Sequence, residues 1–297
     1  MLEKINDKVV LVTGAGSGFG KAIVEKCLDE GVTVLAACHH QQSLEELNKE
    51  FKNKRGQLKA FTMDITSAES IQAGLALVEK TLKETGKDLH ALINNAGIRG
   101  KLFVDAFMTI DDYKDAIDVN TYGPIRVTHA FQQLIKKSKT RLIYCVSGST
   151  MFQAPSIAPY TVSKSALDAY ASCIRHEMLP FGVKVITVQP GVFRTNLNAV
   201  TKVLKETEEV WMIPPESKRK RVYVDVVEMS PTDITPVVDA YFQALFAKYP
   251  RLNYIVGKDA KLIFLPYSYL PTQIQVWIMS QFQKFFNTPI PAITDTD

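Results

Sequence analysis

Tyr160 and Lys164 lie four residues apart in the run Tyr160-Thr161-Val162-Ser163-Lys164, and the segment from Tyr160 to about Phe181 has the composition of one helix. Val162, Ala166, Ala169, Cys173 and Ile174 recur at three- and four-residue intervals until Pro180 and Gly182 stop it. On a helix such a pair shares a face, which sets an ammonium beside a phenol. A free tyrosine, with a pKa of about 10, is almost wholly protonated at neutral pH. A unit charge about 4 Å away, at an effective dielectric of about 20, favours its phenolate by roughly 4 kcal/mol, or about three pKa units before desolvation. The chemistry implied is proton exchange with a substrate oxygen near neutrality. The pattern is weak by itself. A second copy, Tyr254 to Lys258, contains Gly257 and falls in a β-like run from Leu252 to Val256, where side chains four apart do not stack. Alone, the first copy also reads more readily as a solvated helix pair, so the surrounding elements have to decide.

Those elements alternate. Lys8 to Thr13 is a short, nearly all-apolar run typical of a parallel strand buried on both faces, and it feeds the turn Gly14-Ala15-Gly16-Ser17-Gly18-Phe19-Gly20. A helix from about Gly18 to Glu30 and a strand from Val32 to Cys38 follow. A glycine turn in that setting suits a dinucleotide, because glycines admit the pyrophosphate and a helix N-terminus presents free N–H groups. The pattern next predicts helices at Ser43 to Lys52 and Ser67 to Glu84, and strands at Leu58 to Met63 and Leu89 to Asn94. It continues with one long helix from about Asp111 to Lys137, a strand at Arg141 to Val146, the Tyr160 helix, and a strand at Lys184 to Gln189. Such alternation argues an α/β fold, a doubly wound parallel sheet of Rossmann type, with ligands outside the carboxyl ends of the strands. Those ends carry Asp64, Asn94-Asn95-Ala96-Gly97, Ser147-Gly148-Ser149 and Pro190-Gly191, residues that packing alone does not call for.

A chain of 297 residues, 46% hydrophobic and 22% charged, can bury a full core and is near the upper limit for one domain. A net charge of +4 gives no footprint for nucleic acid; the basic run Lys218-Arg219-Lys220-Arg221 reads first as a solvated loop, and behind that as a site for anionic lipid or a nuclear signal. Cys27, Cys38, Cys145 and Cys173 form no C-x-x-C pair, three of them sit in apolar runs, and a reduced compartment fits. His39, His40, His90, His129 and His176 have no spacing that puts two on one helix face, so no metal site is expected. No apolar segment precedes the first strand, and a cytoplasmic chain is expected.

Together these motifs resemble the short-chain dehydrogenase/reductase family over nearly the whole chain. Thr13-Gly14-x-x-x-Gly18-x-Gly20 is similar to its cofactor turn, Asn94-Asn95-Ala96-Gly97 to its NNAG segment, and Asn120, Ser147, Tyr160 and Lys164 to its catalytic tetrad. More narrowly, Asp64-Ile65-Thr66, Val119-Asn120-Thr121-x-Gly123-Pro124-Ile125, Pro190-Gly191-x-Phe193-Arg194-Thr195, Asp259-Ala260-Lys261-Leu262 and Tyr269-Leu270-Pro271 look like the retinol and hydroxysteroid dehydrogenase branch, with hydroxybutyrate dehydrogenase a nearby relative.

The resemblance implies a role for each residue. Tyr160 would be the general acid/base; Lys164 would lower its pKa and hold the nicotinamide ribose; Ser147 would bond the substrate oxygen; Asn120 would hold a water on the proton path. Ser149 is a rival for Ser147, which lies at the spacing the family uses. Cofactor contacts would come from Thr13, Gly14, Gly16, Ser17, Gly18, Phe19, Gly20, Cys38, Asp64, Ile65, Asn95, Ala96, Gly97, Pro190, Gly191, Val192 and Thr195. An NAD enzyme usually has a ribose-binding carboxylate at the end of strand two. Here that place is Cys38, followed by His39 and His40, and no Arg or Lys lies within Gly14 to Gly20 to meet a 2′-phosphate. Relatives in this branch often lack the acid and still use NAD, so NAD is the expected cofactor, with NADP the alternative.

Residues 1–297 then form one domain: a cofactor-binding half to about 150, a substrate lid at about 192–230, and a C-terminal extension from about 260. Phe152, Phe193, Trp211, Met212 and Ile213 would favour a lipophilic alcohol, unless they are ordinary core. The tail from Leu262 to Phe286 is aromatic but broken by Pro266 and Pro271, too short and polar to span a bilayer; it would rest on a membrane, pack on a partner subunit or join the core. Family members pair through the two long helices, which implies a homodimer or homotetramer. The alternatives are a small hydroxy acid dehydrogenase, a silent dinucleotide-binding regulator, and a membrane-surface scaffold.

Overall fold

The computed structural model describes residues 5, 7–102, 105–195, 197 and 230–285. Readings placed on Trp211 to Pro215, on Lys218 to Arg221 and on most of the segment 192–230 lie outside them.

Strands β1 (Val9–Thr13), β2 (Thr33–Cys38), β3 (Leu58–Thr62), β4 (Leu89–Asn94), β5 (Arg141–Cys145), β6 (Lys184–Pro190) and β7 (Asn253–Val256) form one sheet, ordered β3-β2-β1-β4-β5-β6-β7. Every pairing is parallel. The strands are apolar throughout because the sheet is covered on both faces. Alternate residues feed two cores: Val10, Val12, Val34 and Ile186 on one face, Val9, Leu11, Leu35 and Leu142 on the other. The first core is closed by helix α1 (Gly18–Asp29) and a later helix, Thr235–Phe246, that the sequence pattern does not announce. The order in which strands are added switches sides between β1 and β4, so a crevice opens at their carboxyl ends, next to the glycine turn.

Helices α2 (Gln41–Glu50) and α3 (Ala68–Thr85) lie within two residues of expectation. The long helix expected from Asp111 to Lys137 is instead three, α4 (Ile110–Ile117), α5 (Gly123–Ala130) and α6 (Gln132–Ser138). Between α4 and α5 the chain makes a wide turn over Asp118–Tyr122, with the Gly123 N–H donating to Asp118 O five residues back. Pro124 explains the break: it has no N–H for the carbonyl of Asn120, four residues earlier, and its ring crowds that carbonyl.

Helix α7 (Ala158–Met178) carries Tyr160 and Lys164 as expected, but of the apolar stripe read from its sequence only Ile174 faces inward. Val162, Ala166, Ala169 and Cys173 are exposed, while Thr161, Ser163, Lys164, Leu167, Ala171, Ile174 and Met178 are buried. The inward face is partly polar because it serves the crevice, which hides it from a hydrophobicity pattern. After β7 come helices α9 (Leu265–Ser268) and α10 (Thr272–Phe285), the Thr235–Phe246 helix being α8.

Candidate active site

At the carboxyl edge the chain joins residues far apart in sequence. Thr13, 1% exposed at the end of β1, donates from Oγ1 to Ile93 O at 3.3 Å and accepts from the Asn95 and Ala96 N–H groups, each at 3.1 Å. A hydroxyl has one proton and two lone pairs, so this one is fully committed. The Asn95 amide nitrogen donates in turn to Thr13 O and Gly14 O. Thr13 and Asn95 thus shape the site rather than offering side-chain groups to a ligand. Gly14 and Gly20 have no room for a side chain: a Cβ on Gly14 would meet the Ala96 backbone, and one on Gly20 the Gly14 carbonyl. Gly18 takes φ +53° and opens α1, whose N-cap Ser17 makes no side-chain capping bond. The first N–H groups of that helix have no intrahelical acceptor. A turn of bare backbone with uncapped donors fits a dinucleotide pyrophosphate.

The segment after β6 comes back against this turn. Phe193 packs edge-on to Phe19, ring centroids 6.0 Å apart, and Thr195 flanks Gly18. Phe193 is buried in the core, so it does not line a substrate surface. On the adenosine side, Cys38 is buried and its thiol, pushed by burial to about 11, packs toward Gly16. Asp64 accepts from Thr66 N and Oγ1 at 2.8 and 2.7 Å, and His39 Nε2 lies 3.7 Å from its other oxygen. Burial raises the Asp64 pKa, but the Thr66 bonds and His39 outweigh it and hold the carboxyl below its ordinary value. Ile65 is buried against Gly123.

Around Tyr160 the contacts are tighter. Lys164, 4% exposed, donates from Nζ to Cys145 O at 2.9 Å, and Nζ lies 6.0 Å from the centre of the Tyr160 ring. Burial lowers the pKa of this ammonium from its ordinary value. Asn120, fully buried in the wide turn, donates to Ile98 O at 2.8 Å and Ser163 Oγ at 3.0 Å and accepts from Ile98 N at 2.8 Å. Gly97 sits where any side chain would press on Asn120 Oδ1 and Lys164 Nζ. Ser163 Oγ donates to Tyr160 O at 2.7 Å, and Thr121 Oγ1 donates to Ser163 O at 2.8 Å. Neither Ser163 nor Thr121 was singled out by spacing as a functional residue, although both lie inside the motifs. Ser147 is half-buried, accepts from Ser149 N at 3.1 Å and opens a short 3₁₀ turn; Ser149 is buried, which favours Ser147 as the hydroxyl that meets a ligand. Tyr254, of the second Tyr-x-x-x-Lys copy, is buried on β7 and accepts from Arg251 N, away from Lys258 on the exposed side.

The family model for short chain dehydrogenases matches residues 8–205. The chain belongs to the short-chain dehydrogenase family. Among its relatives, a 3beta-hydroxysteroid dehydrogenase, dhs-16, of Caenorhabditis elegans is 37% identical over 97% of this chain and 77% of its own length. Retinol dehydrogenase 16 of Homo sapiens is 32% identical over 98% of this chain and 92% of its own. A 17-beta-hydroxysteroid dehydrogenase, type 6, of Homo sapiens stands at 30% over 95% and 90%. This dehydrogenase therefore sits in the retinol and hydroxysteroid branch and is an NAD(P)-dependent oxidoreductase. In fold it is similar to a short chain dehydrogenase/reductase from Burkholderia phymatum in complex with NAD, with a TM-score of 0.74 at 21% identity over 92% of this chain and 96% of that one.

Proposed function

We propose that the chain interconverts an alcohol and its carbonyl on a lipophilic substrate of hydroxysteroid or retinol type, with Tyr160 as general acid/base and NAD as cofactor. The observation that carries this is the buried Lys164 ammonium, fixed by Cys145 O, 6.0 Å from the Tyr160 ring. A cation so placed stabilises the phenolate of Tyr160, which then takes the proton from a bound alcohol or returns it to a carbonyl. Ser147 Oγ donates to the substrate oxygen, and Asn120, from its wide turn, orders the groups beneath Lys164. NAD, when bound, supplies the hydride acceptor; Gly14 to Gly20, Asp64 and the Asn95 to Gly97 segment would hold it. No lysine or arginine lies in the glycine turn, and the next cation, Lys21, is tied to Glu50 at 2.6 Å, which favours NAD over its 2′-phosphorylated form.

The branch to which these relatives belong supports the lipophilic substrate. The chain reads as one domain, with a cofactor half to about 150, a substrate region at 192–230 and an extension from 260. Two copies would pair over the exposed apolar side of α7, where Val162 and Cys173 lie. No helix of the described residues is long and apolar enough to cross a membrane. The extension exposes Leu262, Ile263, Tyr269, Val276 and Trp277, which suits contact with a lipid surface.

The test is to incubate the protein with NAD and a panel of lipophilic secondary and primary alcohols, following the absorbance of the reduced nicotinamide. Turnover by the wild type should fall by about 10²- to 10⁴-fold in Tyr160→Phe, with NADH binding retained. Silence across the panel, or a Tyr160→Phe enzyme as fast as wild type, would refute the reading.

A further inference from the structure

Asp259 takes no part in the chemistry above, yet its carboxylate stands at the turn that closes the crevice. The chain leaves β6 at Pro190 and bends at Gly191, whose N–H donates to Val256 O on β7 at 2.7 Å. The next amide, Val192 N–H, donates to Asp259 Oδ2 at 2.7 Å. Both glycines around it are shaped to that carboxylate: a Cβ added to Gly191 or to Gly257 would fall on the Asp259 oxygens, and Gly257 holds φ +117°, which only glycine adopts without strain. A charge-assisted bond in a space cleared on two sides is a specific fit.

The same stretch grips the Ser147 turn. A Cβ on Gly148 would run into the Phe264 ring and lie 3.2 Å from Pro190 O. Phe264 stacks on Phe152 with ring centroids 4.8 Å apart, and Tyr267 packs tilted against Phe152, also at 4.8 Å. Asp259 and Phe264, five residues apart on one wide helical turn, therefore bind the two turns that flank the crevice. One is the turn of Ser147; the other is the turn whose Phe193 and Thr195 reach Phe19 and Gly18 of the glycine segment.

We propose that Asp259 is a positioning residue: by holding the Val192 N–H it fixes the post-β6 turn against the glycine turn, and it ties the C-terminal extension to dinucleotide binding. This rests on the dinucleotide reading above. With the carboxylate gone, the turn has to be ordered at the moment of binding, and affinity falls by the population of the competent state. A hydrogen bond to a charged acceptor sets the scale at about tenfold to a hundredfold.

The experiment uses the full chain as wild type, Asp259→Ala, Asp259→Asn and Asp259→Glu, with NADH fluorescence titration and amide hydrogen exchange at Val192. Asparagine keeps an acceptor of the same reach and should bind NADH within about threefold of wild type, with Val192 protected. Alanine should bind about tenfold or more weakly, with Val192 exchanging fast. Glutamate keeps the charge, but its extra methylene has no room between Gly191 and Gly257, so it should resemble alanine. Should the alanine variant not fold, the order of asparagine and glutamate decides. Wild-type affinity in Asp259→Ala, or glutamate outperforming asparagine, overturns the proposal. A wild-type chain that binds no NADH sinks the dinucleotide reading instead, and the exchange order at Val192 then scores the clamp alone.

Discussion

Thr13→Val changes one hydroxyl into a methyl of nearly the same shape, so its effect isolates the three hydrogen bonds that join the glycine turn to the Asn94–Gly97 segment. The substitution leaves Ile93 O, fully buried, and the half-buried Asn95 and Ala96 amides without their partner. Each buried group so stranded costs about 1–3 kcal/mol, and the two amides, which water partly reaches, fall at the low end. The total is about 3–5 kcal/mol, which for a chain of this size lowers the melting temperature by roughly 5–8 °C. Thr13→Ser is the control: it keeps the hydroxyl and loses one buried methyl, worth about 1 kcal/mol. Thermal melts and NADH titrations on the three proteins should rank wild type, Thr13→Ser and Thr13→Val in that order, with the affinity loss confined to valine. A valine variant melting within about 1 °C of wild type, or a serine variant that falls as far as valine, would show that the hydroxyl does not hold the two segments together.

Asp64→Asn should melt below wild type at neutral pH. Because the native carboxyl has its pKa lowered from 3.8, the difference should be full above that value and disappear as the pH falls through the lower native one. For Lys164→Met the wild type again gains with rising pH, but in the alkaline range and because folding penalises the charge rather than favouring it. The native ammonium has its pKa lowered from 10.5, so wild type should gain stability over the variant as the pH rises toward that value, and flat relative melts between pH 7 and 10 would refute the burial argument. A thiol reagent on the native protein should spare Cys27 and Cys38, whose thiols burial pushes to about 12 and 11, until the chain is unfolded; mass mapping that finds Cys27 modified in the native protein would contradict it.

The strands were legible because a parallel sheet covered on both faces leaves uninterrupted apolar runs, as in Val9–Thr13 and Thr33–Cys38. The glycine turn was legible because its position between such a strand and a helix admits few alternatives. What escaped were features in which polar groups replace apolar ones. The broken helix around Asn120 has unbroken periodicity in sequence, and only Pro124, read against the residue four before it, betrays the wide turn. On α7 the expected stripe, Ile174 apart, had the right spacing on the wrong side, since Ser163 and Lys164 occupy the buried face. The aromatic contacts of Phe152 with Phe264 and Tyr267 join segments more than a hundred residues apart, and no local pattern reports such a meeting.

Arg194 N–H bonds to Pro231 O at 2.9 Å, so the chain departs after β6 and comes back ahead of α8 at almost the same spot. Whatever is inserted between those two points hangs from a doorway whose posts are already fastened. Evolution, or an engineer, can exchange that cassette for another of different length and taste in substrates while the seven-stranded frame, and the tyrosine and lysine mounted on it, stay where they are.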